Sequence, residues 1–231
     1  LLDILGASVG LSQRLKWPDD FFTLSTSLNY QRFKLKNYNI SSFDFDDGIS
    51  NNFNFAVNFG RSSAGPNPVF PSGGSQFNIL LKLTPPYSLF DGIDDYSNQT
   101  DQEKYKFIEY YKWNFKSKWY SAFTEKLVLA TRMEMGYLGM YNKGVGAAPF
   151  GRFYLGGDGM SGMGYQFDGR ELISLRGYSN NSVSPQTGGT IFNRYSAELR
   201  YAISLNPAST VYALGFLEAG NAWDNFDYFN P

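Results

Sequence analysis

Asn193-Arg194-Tyr195-Ser196-Ala197-Glu198-Leu199-Arg200-Tyr201-Ala202-Ile203-Ser204 is the stretch on which the fold turns. Its odd positions are Tyr195, Ala197, Leu199, Tyr201 and Ile203; its even positions are Arg194, Ser196, Glu198, Arg200 and Ser204, interrupted only by Ala202. Successive side chains of a strand point to opposite sides, so this alternation describes a strand with one apolar and one ionic face. Outward from it the same pattern recurs. Phe77, Ile79, Leu81 and Leu83 oppose Gln76, Asn78, Lys82 and Thr84, and Leu127, Leu129, Met133 and Met135 oppose Lys126, Arg132 and Glu134. Tyr111, Trp113, Phe115 and Trp119 oppose Lys112, Asn114, Lys116 and Lys118. Leu24, Leu28 and Tyr30 oppose Ser25, Ser27, Asn29 and Gln31, and Phe53, Phe55, Val57 and Phe59 oppose Asn52, Asn54 and Asn58.

A water-soluble sandwich also alternates, but its apolar face packs a second sheet and seldom needs strands of this length with rings at their ends. Strands of roughly ten residues, apolar on one side and polar on the other, are the signature of an outer-membrane barrel. Mean hydropathy of −0.34 and the absence of a long apolar run exclude a transmembrane helix and leave a barrel untouched, because barrel strands give only alternate residues to lipid. The segments predict about eight strands, near 5–16, 21–36, 50–62, 73–84, 105–120, 124–140, 189–205 and 209–223, with boundaries good to about two to four residues. The richness in Gly, Tyr and Phe makes helix a poor expectation throughout.

The connections alternate in length. Trp17 to Asp20, Ser121 to Phe123 and Asn206 to Ala208 are short, Arg61 to Ser72 is intermediate, and Asn37 to Ile49, Pro85 to Lys104 and Tyr141 to Gly188 are long. Short periplasmic turns and long external loops have this asymmetry. Eight strands can close a barrel, yet the chain stops on a loop-like tail, Asp227 to Pro231, after a strand. Since an open sheet edge is not tolerated in hydrocarbon, the expectation is an incomplete segment of a larger barrel, with further strands in a longer parent. Residues 1–231 then form part of one all-β, membrane-spanning, antiparallel barrel domain, and Leu1-Leu2-Asp3-Ile4-Leu5 lacks the basic start of a signal peptide.

Lys+Arg 20 against Asp+Glu 21 gives no electrostatic pull toward nucleic acid. With Cys 0 and His 0 the chain has no thiolate metal site, no disulfide and no imidazole base, so catalysis and a bound metal or cofactor are not expected. Gly157-Asp158-Gly159-Met160-Ser161-Gly162 satisfies G-x-G-x-x-G but lacks the strand-turn-helix context that a dinucleotide needs, and reads as a Gly-rich loop. Asp44 to Gly48 faintly resembles a calcium loop, but its Gly comes one residue early and Phe55 stands where a bidentate Glu belongs.

Tyr141 to Gly188 is long enough to be functional rather than slack. It holds Phe153-Tyr154-Leu155-Gly156-Gly157 and Leu175-Arg176-Gly177-Tyr178. Here the sequence resembles the BamA family of outer-membrane barrel assembly proteins, in which a Phe-Tyr-x-Gly-Gly segment precedes a (Val/Leu)-Arg-Gly-(Phe/Tyr) tip on an external loop that folds back into the lumen. Val69 to Gly73 is similar to the family's Phe-Pro-x-x-Gly turn, and Phe216-Leu217-Glu218-Ala219-Gly220 to its Phe-x-(Asp/Glu)-x-Gly strand. The resemblance implies about strands six to thirteen of a sixteen-strand barrel in the bacterial outer membrane, a role in inserting other outer-membrane proteins, and lipid, nascent barrels and accessory assembly subunits as partners. It departs from the family in a longer insert, Asp158 to Ser174.

The physical reading of the tip stands beside the resemblance. A planar five-donor guanidinium on a re-entrant loop is suited to a lumen carboxylate, and strand parity turns Tyr212, Phe216 and Glu218 inward, making Glu218 the natural partner of Arg176. Left in solvent, Arg176 would be an ordinary loop-tip charge. Two other functions stay open: a two-partner secretion or translocation pore with the same loop motif, and a barrel anchor for a fused patatin-like lipase. The latter's Gly-x-Ser-x-Gly elbow does not occur in this chain.

Overall fold

A computed structural model of the protein describes residues 1–37, 47–158, 169–206 and 208–225. Among them are β1 (Leu2–Leu15), β2 (Phe22–Leu35), β3 (Gly48–Ser62), β4 (Gly73–Leu83), β5 (Tyr111–Ala122) and β6 (Leu127–Gly139). Two short strands follow, β7 (Phe153–Leu155) and β8 (Glu171–Ile173), and then β9 (Ile191–Asn206) and β10 (Ser209–Trp223). The long strands form one eight-stranded antiparallel sheet in the order β1-β2-β3-β4-β5-β6-β9-β10, with β1 and β10 at its open edges. This is the all-β membrane-barrel architecture expected from the alternation, in an unclosed sheet.

Register extends the single-strand pattern into rows. On the outer face Phe59, Ile79, Phe115, Met135 and Asn193 are successive partners, as are Leu28 and Phe55. The inner face carries the row Asn78, Lys116, Glu134, Arg194. Each cross-strand pair contributes only about 0.2–1 kcal/mol, but the rows agree with one another along whole strands. Leu11, Phe53, Trp119, Leu199, Ile203 and Leu217 are exposed on the outer face, an apolar expanse that soluble monomers rarely present. Nitroxides placed singly at 198–201 in the membrane-embedded protein are therefore expected to alternate, with Leu199 and Tyr201 reached by lipid-phase oxygen and Glu198 and Arg200 protected. Loss of that alternation would remove the register.

The segment joining β6 to β9 packs on the inner face. Phe150 stacks on Phe33 of β2 with centroids 4.3 Å apart, and Phe153 lies 4.6 Å from Phe192 of β9. Leu155, Ile173 and Leu175 extend the same buried cluster toward Ala222 of β10. One loop thus touches both β2 and β10, and the sheet curls around it. At the opposite end Phe70, from the β3–β4 turn, is buried with Val128 and Ala202 and packs on Tyr212 at 5.5 Å.

Three features differ from the sequence reading. The strand expected from 105 begins at Tyr111, because Ile108 is fully buried and residues 106–108 pair instead with Asn51, whose N–H donates to Lys106 O and whose O accepts from Ile108 N–H, both at 2.9 Å. A helical turn, Asp101–Lys104, forms where none is expected, held by a capping box in which Thr100 and Glu103 satisfy one another's backbone N–H groups. The long loop also contains order of its own, the parallel pair β7–β8. The Gly-rich motif at 159–162, the core of the loop insert at 159–168, the calcium-like stretch at 44–46, Pro207 and the tail at 227–231 lie outside the described residues.

Candidate functional site: a loop latched to the inner wall

β10 runs with even parity inward from Tyr212, so Phe216, Glu218 and Gly220 face the loop. Gly220 has no side chain where one would press on the Asn193 carbonyl 2.7 Å away and on Leu155, which lets the loop approach the wall closely. On the loop, Gly156 (φ +131°) and Gly157 (φ +84°) take conformations that L side chains rarely adopt, so the chain can turn after β7. Leu175 is fully buried and its N–H donates to Gly157 O at 2.9 Å, tying the tip to the Gly-Gly element. Phe153 and Tyr154 are buried beneath, Tyr154 Oη donating to Thr187 O at 2.8 Å.

Arg176 is thereby delivered to the wall. Its backbone N–H donates to Glu218 Oε2 at 2.9 Å, its Nε to Glu218 Oε1 at 3.0 Å and its Nη2 to Glu218 Oε1 at 2.7 Å. Nη2 also donates to Glu198 Oε1 at 2.6 Å, and the guanidinium carbon lies 3.7 Å from the centre of the Phe216 ring. Charge-assisted bonds of this forked kind, over an aromatic face, are among the stronger polar contacts a protein makes. Hydrogen bonding to Glu218 foremost, then to Glu198, holds the Arg176 pKa above its already high ordinary value, against the opposing effect of burial.

The pair sits within a larger network. Arg194 Nη2 donates to Glu218 Oε1 at 2.9 Å and its Nη1 lies 3.5 Å from Glu134; Arg200 Nη2 meets Glu198 Oε2 at 2.5 Å. The Glu218 side chain is 1% exposed, Arg194 5% and Arg176 32%, so the wall's charges are buried and the loop's cation closes over them. A second anchor holds the loop at β8. Lys112 Nζ meets Glu171 Oε2 at 2.6 Å and the Gly151 carbonyl at 2.5 Å, and lies 4.4 Å from the Phe153 ring centre, while Asn114 Nδ2 donates to Glu171 Oε1 at 2.7 Å.

Burial works to raise the Glu171 pKa, but the charge and hydrogen bond of Lys112, with Lys116 and Lys82 behind, outweigh it and leave the carboxyl below its ordinary 4.5. A lowered folded-state value contributes stability that is present above the unfolded value and lost as pH falls through the folded one. A nitroxide at Leu172 is accordingly expected to gain mobility as pH is taken from 7 to below 4.5, and Glu171→Gln to flatten that transition. A transition unchanged by the substitution would show that Glu171 does not govern it.

Of the residues singled out from sequence, Arg176, Glu218 and Phe216 meet directly, and Leu175, Phe153, Tyr154, Gly156, Gly157 and Gly220 shape the approach. Gly177 (φ +88°) turns the tip, and Tyr178 is half exposed, serving through its carbonyl, which accepts from Gly157 N–H at 3.0 Å. Sequence reasoning passed over Glu198 and Arg194 as members of the latch, although their parity already placed them on the inner face. The Lys112–Glu171 anchor had no local signal. Among the described residues no group of three or more acidic side chains could hold a metal ion.

The chain belongs to the Omp85 superfamily, whose domain model matches residues 3–230. Members of that superfamily are outer-membrane β-barrels. Its fold is similar to BamA from Haemophilus ducreyi lacking POTRA domains 1–3, with a TM-score of 0.68 at 22% identity, covering 96% of this chain and 42% of that one. It is also similar to CdiB from Escherichia coli, with a TM-score of 0.52 at 16% identity, covering 95% of this chain and 34% of that one. The chain therefore spans less than half the length of either protein. A search of curated protein sequences gives no match.

Proposed function

We propose that the protein assembles and inserts outer-membrane β-barrel proteins in the bacterial outer membrane, and that this chain supplies barrel wall and a lumen-latched loop to that task. The observation that carries the reading is the hold of Glu218 and Glu198 on Arg176: main chain and guanidinium are both bonded, which fixes the loop as part of the wall. In this reading lipid covers the outer face, nascent barrels are the clients, accessory subunits assist, and no chemical step is performed. An insertase can work by offering strand-edge hydrogen bonds to an incoming strand; a firmly seated loop keeps the lumen's shape while that happens.

The likeness to CdiB keeps a translocation pore as a second reading. Depletion of the gene product containing this chain from its native bacterium separates the two. Loss of heat-modifiable forms of many outer-membrane proteins is the expected result. Intact barrels with the loss of a single secreted protein would instead make it a secretion pore.

A further inference from the structure

The connection between β4 and β5, together with Val145, lines a half-open cavity of about 180 Å³ that the latch does not use. On its lining is Glu109, only 4% exposed, whose Oε2 accepts the Ser88 N–H at 2.8 Å while Oε1 is buried without a hydrogen-bond partner. Ser88 Oγ is likewise buried and unpartnered. All Lys and Arg of the sequence lie among the described residues, and no ion pair found there includes Glu109. Buried carboxylate oxygens are as a rule bonded, and the natural partner of one left over is a cationic donor.

The rest of the lining suits such a cation. Tyr87 and Phe107, with ring centres 5.2 Å apart, and the buried Tyr96 supply aromatic surface, and ring faces attract positive charge. Tyr96 Oη donates to Asp91 at 2.5 Å and Glu103 is engaged in its capping box, so neither acid needs the cavity's occupant. One carboxylate and one hydroxyl are too few oxygens for calcium, which takes six to eight, and too few acceptors for the five donors of a guanidinium.

We propose that this cavity binds a primary ammonium group on a short alkyl stem, the ammonium bonding to Glu109 Oε1 and Ser88 Oγ and the stem lying against Tyr87 and Phe107. At about 30 Å³ per water-sized group the space accommodates roughly six heavy atoms. A small free amine and a lysine side chain present the same chemistry. Lys104 and Lys106, which also line the cavity, oppose the ligand by like charge and favour small monocations.

The test uses the complete gene product purified in detergent, with butylammonium as the probe in calorimetry and ligand-observed NMR. Saturable binding is expected, with butanol inert and sodium a poor competitor. Glu109→Gln should weaken binding on the order of tenfold, the loss of one charge-assisted bond, and Lys104→Met with Lys106→Met should strengthen it severalfold. Heat-modifiable migration identifies folded variants; should Glu109→Gln not fold, Ser88→Ala and Tyr87→Leu are each expected to weaken binding severalfold. Competition by ethanolamine but not by Nα-acetyl-lysine amide identifies a small free amine as the source, and the converse a lysine side chain. No saturable butylammonium binding, affinity unmoved in folded Glu109→Gln, loss of binding in the lysine double variant, or equal competition by sodium would each overturn the proposal.

Discussion

Glu218→Ala is expected to be the most damaging single change in the latch, exceeding Arg176→Ala. Glu218 is shared: it accepts from the loop's Arg176 through main chain and side chain and from the wall's Arg194. Its removal leaves Arg194, 5% exposed, with only the 3.5 Å contact to Glu134, and leaves Arg176 with Glu198 alone. Removing one partner of a buried ion pair costs about 3–5 kcal/mol. Arg176→Ala strands less, because Glu218 retains Arg194 and Glu198 retains Arg200, and because Arg176 is about a third exposed and partly screened; its cost is expected near 1–3 kcal/mol. Lys at 176 keeps the backbone bond and a charge but not the fork, so rescue is partial. In a double-mutant cycle read as heat-stability of the purified barrel, the combined loss should fall well short of the sum of the singles. Strict additivity would mean that the two side chains do not stabilise one another.

Phe153→Ala should release the loop by a route independent of charge. The ring is fully buried, packs on Phe192 and carries Lys112 over its face. Emptying such a site costs roughly 3–5 kcal/mol through lost burial and the remaining cavity, and the Lys112–Glu171 anchor then loses its backing. Protease cleavage within 169–188 is the expected readout, with the β-sheet circular dichroism retained, since a loop can open while the strands stay paired. Leu172→Ala, at a half-exposed position of β8, serves as the control and should leave the loop resistant. Equal resistance of both variants would show that the cluster does not hold the loop.

What the sequence revealed follows from which interactions are periodic. The eight strands and their inner and outer faces were legible because lipid and lumen impose a period of two on every strand, and Asn193 to Ser204 carries it almost without interruption. The Arg176–Glu218 contact was legible through the motif resemblance and the parity of Glu218 together. The start of β5 was misplaced because Tyr105, Ile108 and Tyr110 read as strand positions but are buried by packing against the loop cluster. The anchor of Lys112 to Glu171 joins residues fifty-nine positions apart with no shared strand, and only the path of the loop brings them together. Glu109 offered no signal at all: it fell inside the strand expected at 105–120, and nothing local marks a carboxylate there as one that the fold will bury.

The row pairing on the sheet has a consequence for how the protein can go wrong. A slip of one residue in the pairing of β9 would turn Arg194, Glu198 and Arg200 outward together and carry Tyr195, Leu199 and Tyr201 into the lumen. Each arginine moved into lipid costs roughly 2–4 kcal/mol near the bilayer midplane, and the slip would also dissolve every bond that β9 contributes to the latch. Misalignment is therefore penalised twice, at two surfaces that do not touch. The strand proofreads its own alignment, and a loop able to close on Glu218 reports that the wall behind it has been laid in the right order.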